Sequence, residues 1–326
     1  MLEEIIRLFP SQFKKIILDK VGARWGFLQE IRVRIGRPIE LVFDKDTEWL
    51  NDLIPTKSDS LSLLNQLSQF SLYRMEDELK QGYITIQGGH RVGLAGKVNT
   101  MNGSVKAIKD ITSFNIRIAK EKHGIANPYM NYLFQRRYFN TLIIGPPQTG
   151  KTTLLRDITR LIASGWGHVH PMKVGVVDER SEIAGCLEGV PQHDIGKRSD
   201  ILDACPKAEG MMMLIRSMSP DVLIVDEIGS KQDVEALQDA MHAGVRVICT
   251  IHGDSLEDIQ KRSSFKPLWQ ERVFERFISL ERTNKPGVVK HILSAEGRNL
   301  LRKPRGVSDE MDWSASGFSR HHLGRI

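Results

Sequence analysis

One short run constrains this chain more than any other: Gly145-Pro146-Pro147-Gln148-Thr149-Gly150-Lys151-Thr152 satisfies the pattern G-x-x-x-x-G-K-[ST] at every specified position. It directly follows the apolar segment Thr141-Leu-Ile-Ile144 and directly precedes Lys151 to Ala163, a stretch with helical spacing. A strand, a glycine-bearing turn and a helix in that order aim backbone N–H groups, and the positive end of the helix, at anionic oxygens. Residues 145–152, with Thr153 beside them, are therefore the expected phosphate cradle. Lys151 is expected to neutralise the β- and γ-phosphates and the Thr152 hydroxyl to ligate Mg²⁺, so ATP and Mg²⁺ are the expected ligands. An incidental glycine-rich turn would not come with both the strand and the helix.

The second half of such a site is an apolar strand ending in carboxylates. Val222-Leu-Ile-Val225 runs into Asp226-Glu227, which places both acids at a strand's C-terminal end, where ligands of α/β sheets bind. Asp226 is expected to hold the metal, directly or through water, and Glu227 to polarise the attacking water. Val174-Gly-Val-Val177 also ends in acids, Asp178-Glu179-Arg180-Ser181-Glu182, and makes Glu179 a rival base. Val247-Ile-Cys-Thr250-Ile-His252 closes a further strand with two side chains able to hydrogen-bond a γ-phosphate or its water. A lone histidine after a strand is ordinarily structural; the company of the other motifs favours a functional His252. Phosphoryl transfer also calls for a cation beyond Lys151 and Mg²⁺. Arg91, Arg117 and Arg216 are the candidates, although a surface ion pair is the commoner fate of an arginine. His168 and His170 have an H-x-H spacing but no third ligand near them in sequence, and read as a loop.

The rest of the chain sorts into two parts. Up to about residue 124 it reads as α+β. Leu2 to Val21 and Leu61 to Leu79 have helical spacing, the first split by Pro10. Glu30 to Ile35 alternates as a half-buried strand does, Ile39 to Phe43 returns, Tyr83–Ile86 and Arg91–Ala95 form a hairpin, and Ser113 to Ala119 adds a strand. Beyond residue 125, apolar β-branched runs alternate with helical stretches such as Lys231 to His242, the signature of parallel strands with crossover helices. The expected units are 1–124, 125–299 and a basic, poorly ordered tail, 300–326.

Composition excludes several classes. No stretch approaches the roughly 20 apolar residues that cross a bilayer; the most apolar region, Met211 to Ile228, is interrupted by Arg216, Asp221, Asp226 and Glu227. The N-terminus lacks a secretory signal pattern, so a cytoplasmic location is expected. Cys186, Cys205 and Cys249 show no CxxC spacing, which argues against a metal site or a disulfide framework. The net charge of +6 hints at nucleic acid or an anionic membrane, but half of it lies in the tail, where six basic residues from Arg298 onward face three acids.

Gly145–Thr152, the acids at 178–182, Leu214 to Ile228 and Ala240 to His252 follow one another as in the type II/type IV secretion ATPases, where they resemble the Walker A, Asp box, Walker B and His box. Cys205-Pro-Lys-Ala-Glu-Gly-Met-Met-Met-Leu-Ile-Arg-Ser-Met-Ser-Pro-Asp221, with Ile31-Arg-Val-Arg-Ile-Gly-Arg-Pro38 upstream, is more specific and resembles the sporulation branch of that family in endospore-forming bacteria. The resemblance implies an α/β fold with a RecA-like P-loop NTPase core and a smaller α+β N-terminal domain, with nucleotide between the two. It also implies a homo-oligomer, a hexameric ring, peripheral at a membrane through the channel components of a sporulation complex joining mother cell and forespore. Carried over residue by residue, it makes Glu179 the base, Glu227 the metal-side acid and Arg117 part of the linker that precedes the catalytic domain. This chain departs from the family at Asp226, where glycine is common; the Asp-Glu pair favours Glu227 as base. Two other readings are weighed: a nucleic-acid-stimulated RecA-like ATPase, for which no aromatic-plus-basic platform is visible in the sequence, and a nucleotide-gated assembly scaffold with little turnover.

Overall fold

In the computed structural model, residues 2–68, 79–80, 82–101, 103–283 and 286–301 are described. The basic tail from 302 onward, and the central part of the helical pattern expected over Leu61 to Leu79, lie outside these residues; the helix seen there is Lys57–Leu67.

The N-terminal part is a six-stranded antiparallel sheet made of β1 (Leu28–Arg34), β2 (Ile39–Phe43), β3 (Thr47–Leu50), β4 (Tyr83–Ile86), β5 (His90–Met101) and β6 (Ser104–Arg117), in the order β3-β2-β1-β6-β5-β4. Strand alternation gives it two unlike faces. Ile31, Val33, Leu41, Val92, Phe114 and Ile116 bury against the helices Ser11–Val21 and Lys57–Leu67. Pro10, at the cap of Ser11–Val21, makes the anticipated break between that helix and the preceding one, Leu2–Ile6. The helix Lys57–Leu67 starts at Thr56 in a reciprocal capping box with Asp59. The other face is polar. The ladder sets Glu40, Arg32, Asn115 and Gly93 in one row and Glu30, Arg117 and Arg91 in the next.

The C-terminal part is a seven-stranded sheet of β7 (Thr141–Gly145), β8 (Val174–Asp178), β9 (Ser199–Asp203), β10 (Val222–Val225), β11 (Arg246–His252), β12 (Arg276–Leu280) and β13 (Val289–Ser294). Its order is β13-β12-β7-β11-β10-β8-β9, parallel throughout except for the antiparallel β12–β13 edge. Both faces are covered. Ile143, Val176, Ile224 and Ile248 pack against Leu154, Leu155 and Ile158 of the helix Lys151–Ser164. On the opposite face Leu142, Ile144, Leu223, Val225 and Val247 pack against the helices Lys207–Met218 and Lys231–His242. Each fully buried Leu, Ile or Val adds about 1.5–3 kcal/mol, so the central strands are firmly anchored beneath the loops that follow them. Strand β3, the helix 207–218, β9, β12, β13 and the extension of β5 and β6 toward residues 101 and 104 were not expected from the sequence; β9, for instance, has polar residues at Ser199, Asp200 and Asp203 and no clean alternation.

The two sheets meet along a polar seam. Gly88 N–H donates to Gln192 Oε1 at 3.0 Å, Asp194 N–H donates to Glu121 Oε1 at 2.7 Å, and Arg91 Nη1 donates to Glu182 Oε1 at 2.8 Å. Gly89 lies so close to the His193 ring that an added Cβ would sit 2.7 Å from Nε2, which leaves no room for a side chain there. The polar face of the N-terminal sheet is thereby held over the C-terminal edge of the parallel strands.

Candidate functional site

After β7 the chain turns through Gln148 at φ +65° and Gly150 at φ +86° before entering the helix Lys151–Ser164. Gly150 occupies the left-handed region and caps that helix without a side-chain bond, so the first-turn N–H groups keep their donors. A Cβ at Gly150 would come within 2.6 Å of Pro286. Gly287 N–H donates to Thr149 O at 2.8 Å, so the Pro286–Gly287 turn braces the loop from outside. Thr149 Oγ1 closes the turn on Pro146 O at 2.9 Å.

The buried Lys151 ammonium donates to Gly145 O at 2.9 Å and Pro146 O at 3.0 Å, and stands 3.0 Å from His252 Nδ1. Burial pushes its pKa down, against the pull of Asp226 and Glu227. An ammonium only donates, so Nδ1 of His252 accepts and Nε2 carries the hydrogen toward Glu227 Oε1, 2.6 Å away. Strand register explains this meeting: His252 pairs with Gly145, and Val225 pairs with Cys249 on the other side of β11. Lys151, His252 and Glu227 thus form one hydrogen-bonded chain across three strands.

Asp226 lies beside that chain. Its carboxylate accepts from Thr152 Oγ1 at 2.6 Å and from Thr250 Oγ1, and burial raises its pKa. Thr250 Oγ1 in turn accepts Glu227 N–H at 2.8 Å. Glu227 has φ +53°, a strained conformation for a residue with a side chain.

Asp178 organises the neighbouring turn. It accepts N–H bonds from Glu182 at 2.8 Å, Ile183 at 2.9 Å and Ala184 at 2.8 Å, while burial pushes its pKa up to about 6. Arg156 of the P-loop helix grips the same turn through Glu182 O and Ile183 O, both at 2.6 Å. Glu179 is ion-paired with Lys207, and Arg180 Nη1 donates to Glu227 Oε2 at 2.7 Å. Asp178, Glu179, Arg180, Glu182, Lys207, Asp226 and Glu227 line one small cavity, so both candidate bases face the same space.

Of the candidate arginines, Arg91 and Arg117 line a cleft of about 490 Å³ together with Glu179, Arg180 and Glu182. Arg91 lies over the Tyr83 ring at 3.5 Å. Arg117 is 61% exposed and 3.6 Å from Glu30. Arg216 is not brought to the site; it is exposed and donates to Met212 O on its own helix. His168 and His170 take part in no group of metal-ligating side chains among the described residues. Sequence reasoning assigned no role to Arg180, Arg156, Lys207 or the Pro286–Gly287 brace; only the Pro-Gly dipeptide carried a turn signal, and it gave no hint of its destination.

The residues fit the ligands the motif implies. Uncapped N–H groups at a helix start, behind a loop with two left-handed residues, suit a phosphate chain. The Thr152 hydroxyl and the Asp226 carboxylate are hard oxygen donors in contact with each other, the type that suits Mg²⁺. Cys186 and Cys249 are buried free thiols whose pKa is raised by burial, and stand outside this donor set. Among the described residues no helix is long and apolar enough to cross a membrane.

Comparison with known proteins agrees with this geometry at the level of fold. The chain aligns over 88% of its length with the ATPase DotB of Legionella pneumophila, at a TM-score of 0.60 and 13% identity, covering 82% of that protein. It also aligns over 86% of its length with the pilus retraction motor PilT bound to ADP, at a TM-score of 0.54 and 16% identity, covering 77% of that chain. The fold is therefore that of P-loop secretion ATPases: a RecA-like α/β core with a smaller α+β N-terminal part. In sequence it is 53% identical to the stage III sporulation protein AA of Bacillus subtilis (strain 168) over 306 residues, 94% of this chain and 99% of that one. A family model described as Sporulation stage III, protein AA matches residues 1–300, and the chain belongs to that family.

Proposed function

We propose that this protein is a Mg²⁺-dependent ATPase that works as a motor of the secretion-ATPase type and energises a sporulation channel complex between mother cell and forespore. The observation that carries the reading is the chain Lys151–His252–Glu227 with the Thr152–Asp226 pair beside it. It aligns a phosphate-neutralising cation, a general base and a metal-side carboxylate at one sheet edge. Bound Mg²⁺ would neutralise charge on the β- and γ-phosphates. Glu227 takes the proton of the attacking water, His252 orients Glu227, and Lys151 exchanges its loop carbonyls for phosphate oxygens. Glu179 is the rival base.

In this reading the unit 1–124 closes on the unit 125–299 around nucleotide, and Arg117 or Arg91 supplies a further cation. The protein works as a homo-oligomer, a hexameric ring, on the cytoplasmic side of the membrane and held there by channel components. The PilT motor was solved with ADP, which supports nucleotide as the ligand of this fold. The nucleic-acid-stimulated reading is weaker: Arg32 is paired with Glu30 and Arg34 with Glu40, each at 2.7 Å, so these cations of the N-terminal sheet are already engaged.

The test is a steady-state assay of the purified chain. ATP turnover is expected only with Mg²⁺, and Lys151→Ala is expected to lower it by about 10³-fold or more. Unchanged turnover in that variant would remove the phosphate-cradle assignment.

A further inference from the structure

Glu227 is held from two sides: Oε1 by His252 Nε2 at 2.6 Å and Oε2 by Arg180 Nη1 at 2.7 Å. A water about to lose its proton needs a hydrogen bond to one of those oxygens, so one partner has to make room. His252 is fixed. It belongs to β11, its Nδ1 faces the Lys151 ammonium at 3.0 Å, and its carbonyl accepts from Arg262 Nη2 at 2.6 Å. Arg180 is the looser partner. Its side chain is 61% exposed, and it stands on a turn whose next residue, Ser181, has φ +53°.

A guanidinium that leaves Glu227 is taken up either by water, to which it is already open, or by another anion within its reach. The acids around its turn already have partners. Asp178 accepts three backbone N–H groups, Glu179 is paired with Lys207, Glu182 with Arg91, and Asp226 takes two threonine hydroxyls. A terminal phosphate entering next to Lys151 is an anion of the right kind at the right edge of the sheet.

We propose that Arg180 is a phosphate-responsive cation supplied by the same chain: it masks Glu227 until ATP arrives, then transfers to the terminal phosphate. The proposal rests on reading this site as an ATPase. The transfer frees one Glu227 oxygen for water and adds positive charge where negative charge develops on the phosphoryl group. The water oxygen bonds to the γ-phosphorus while the bond to the bridging oxygen breaks, ADP leaves with that electron pair, and the water proton passes to Glu227. Arg180 takes no part in the proton transfer. Because Arg91 Nη2 donates to Arg180 O at 2.9 Å, movement of this turn also reaches the N-terminal sheet.

The experiment compares the full chain with Arg180→Ala and Arg180→Lys, measuring affinity for ADP and for a non-hydrolysable ATP analogue by calorimetry with Mg²⁺, and kcat and KM separately. Arg180→Ala is expected to keep its ADP affinity within about twofold, lose about tenfold in affinity for the analogue and lose about 10²–10³-fold in kcat. Arg180→Lys, which keeps the charge without the planar fork, is expected to recover part of both losses. An Arg180→Ala protein whose kcat stays within about twofold, or rises, or whose ADP and analogue affinities change equally, overturns the assignment to Arg180 alone. A wild-type chain that binds neither nucleotide overturns the ATPase reading and this proposal with it. The exposure of the side chain keeps the variants foldable, and thermal melting of each variant checks this.

Discussion

Glu227 and Glu179 stand in the same cavity but in different company. Glu227 is tied through His252 to Lys151, whereas Glu179 is neutralised by Lys207 and touches neither the lysine nor the Thr152–Asp226 pair in any hydrogen bond described. Replacing a carboxylate by its amide keeps the volume and removes the proton acceptor. Glu227→Gln is therefore expected to retain nucleotide binding and lose about 10²–10³-fold in kcat, while Glu179→Gln loses less than about tenfold. Parallel measurements of affinity and single-turnover rate check this, and the reverse ranking would move the base to Glu179. Spacing and strand position made Asp226, Glu227, Thr152 and His252 legible as candidates in the sequence. The partners that distinguish the two carboxylates, Lys207 and Arg180, were not, because each is an ordinary surface-type residue until the fold sets a carboxylate in front of it.

Among the elements, the candidate phosphate loop leaves little room for change at one position. Gly150 combines φ +86° with Pro286 and Gly287 lying where a Cβ would go. A left-handed residue with a side chain costs about 1–2 kcal/mol before any clash. Gly150→Ala is expected to lower unfolding stability by about 2 kcal/mol or more and to weaken nucleotide binding. Urea titration together with calorimetry measures both effects; a variant as stable and as tight-binding as the wild type would show that the loop has room to relax. The strand–loop–helix order around Gly150 was readable because hydrophobic period and glycine placement are local properties. The brace from Pro286 and Gly287 was not readable, since it brings together residues more than a hundred positions apart.

For the whole molecule, the seam between the two sheets carries a titratable group with a definite sign. His193 is buried near Arg156, Glu121 and His90; burial first, then Arg156, pushes its pKa down to about 4 from an ordinary 6.5, despite the Glu121 carboxylate 3.1 Å away. Between those values the unfolded chain binds a proton here that the folded chain refuses, so stability falls as pH falls from about 6.5 to about 4. This site contributes on the order of 2–3 kcal/mol of that loss. His193→Gln is expected to show a stability–pH slope shallower by about one proton in that window, read from urea midpoints at a series of pH values. Identical slopes would mean that His193 is protonated within the fold.

Taken by itself, the sequence determined the class of the molecule: an α/β P-loop core after an α+β segment, with a candidate phosphate loop and carboxylates at strand ends. These follow from periodicity and from short-range backbone chemistry, which act within a dozen residues. Only the tertiary structure decided who meets whom at the sheet edge. Strand order puts β11 between β7 and β10, and that alone joins Lys151 to Glu227 through His252. It likewise turned the polar face of the N-terminal sheet toward the site and set Arg180 against the candidate base. Such pairings depend on long-range packing of buried strands, and no local pattern in the chain encodes them.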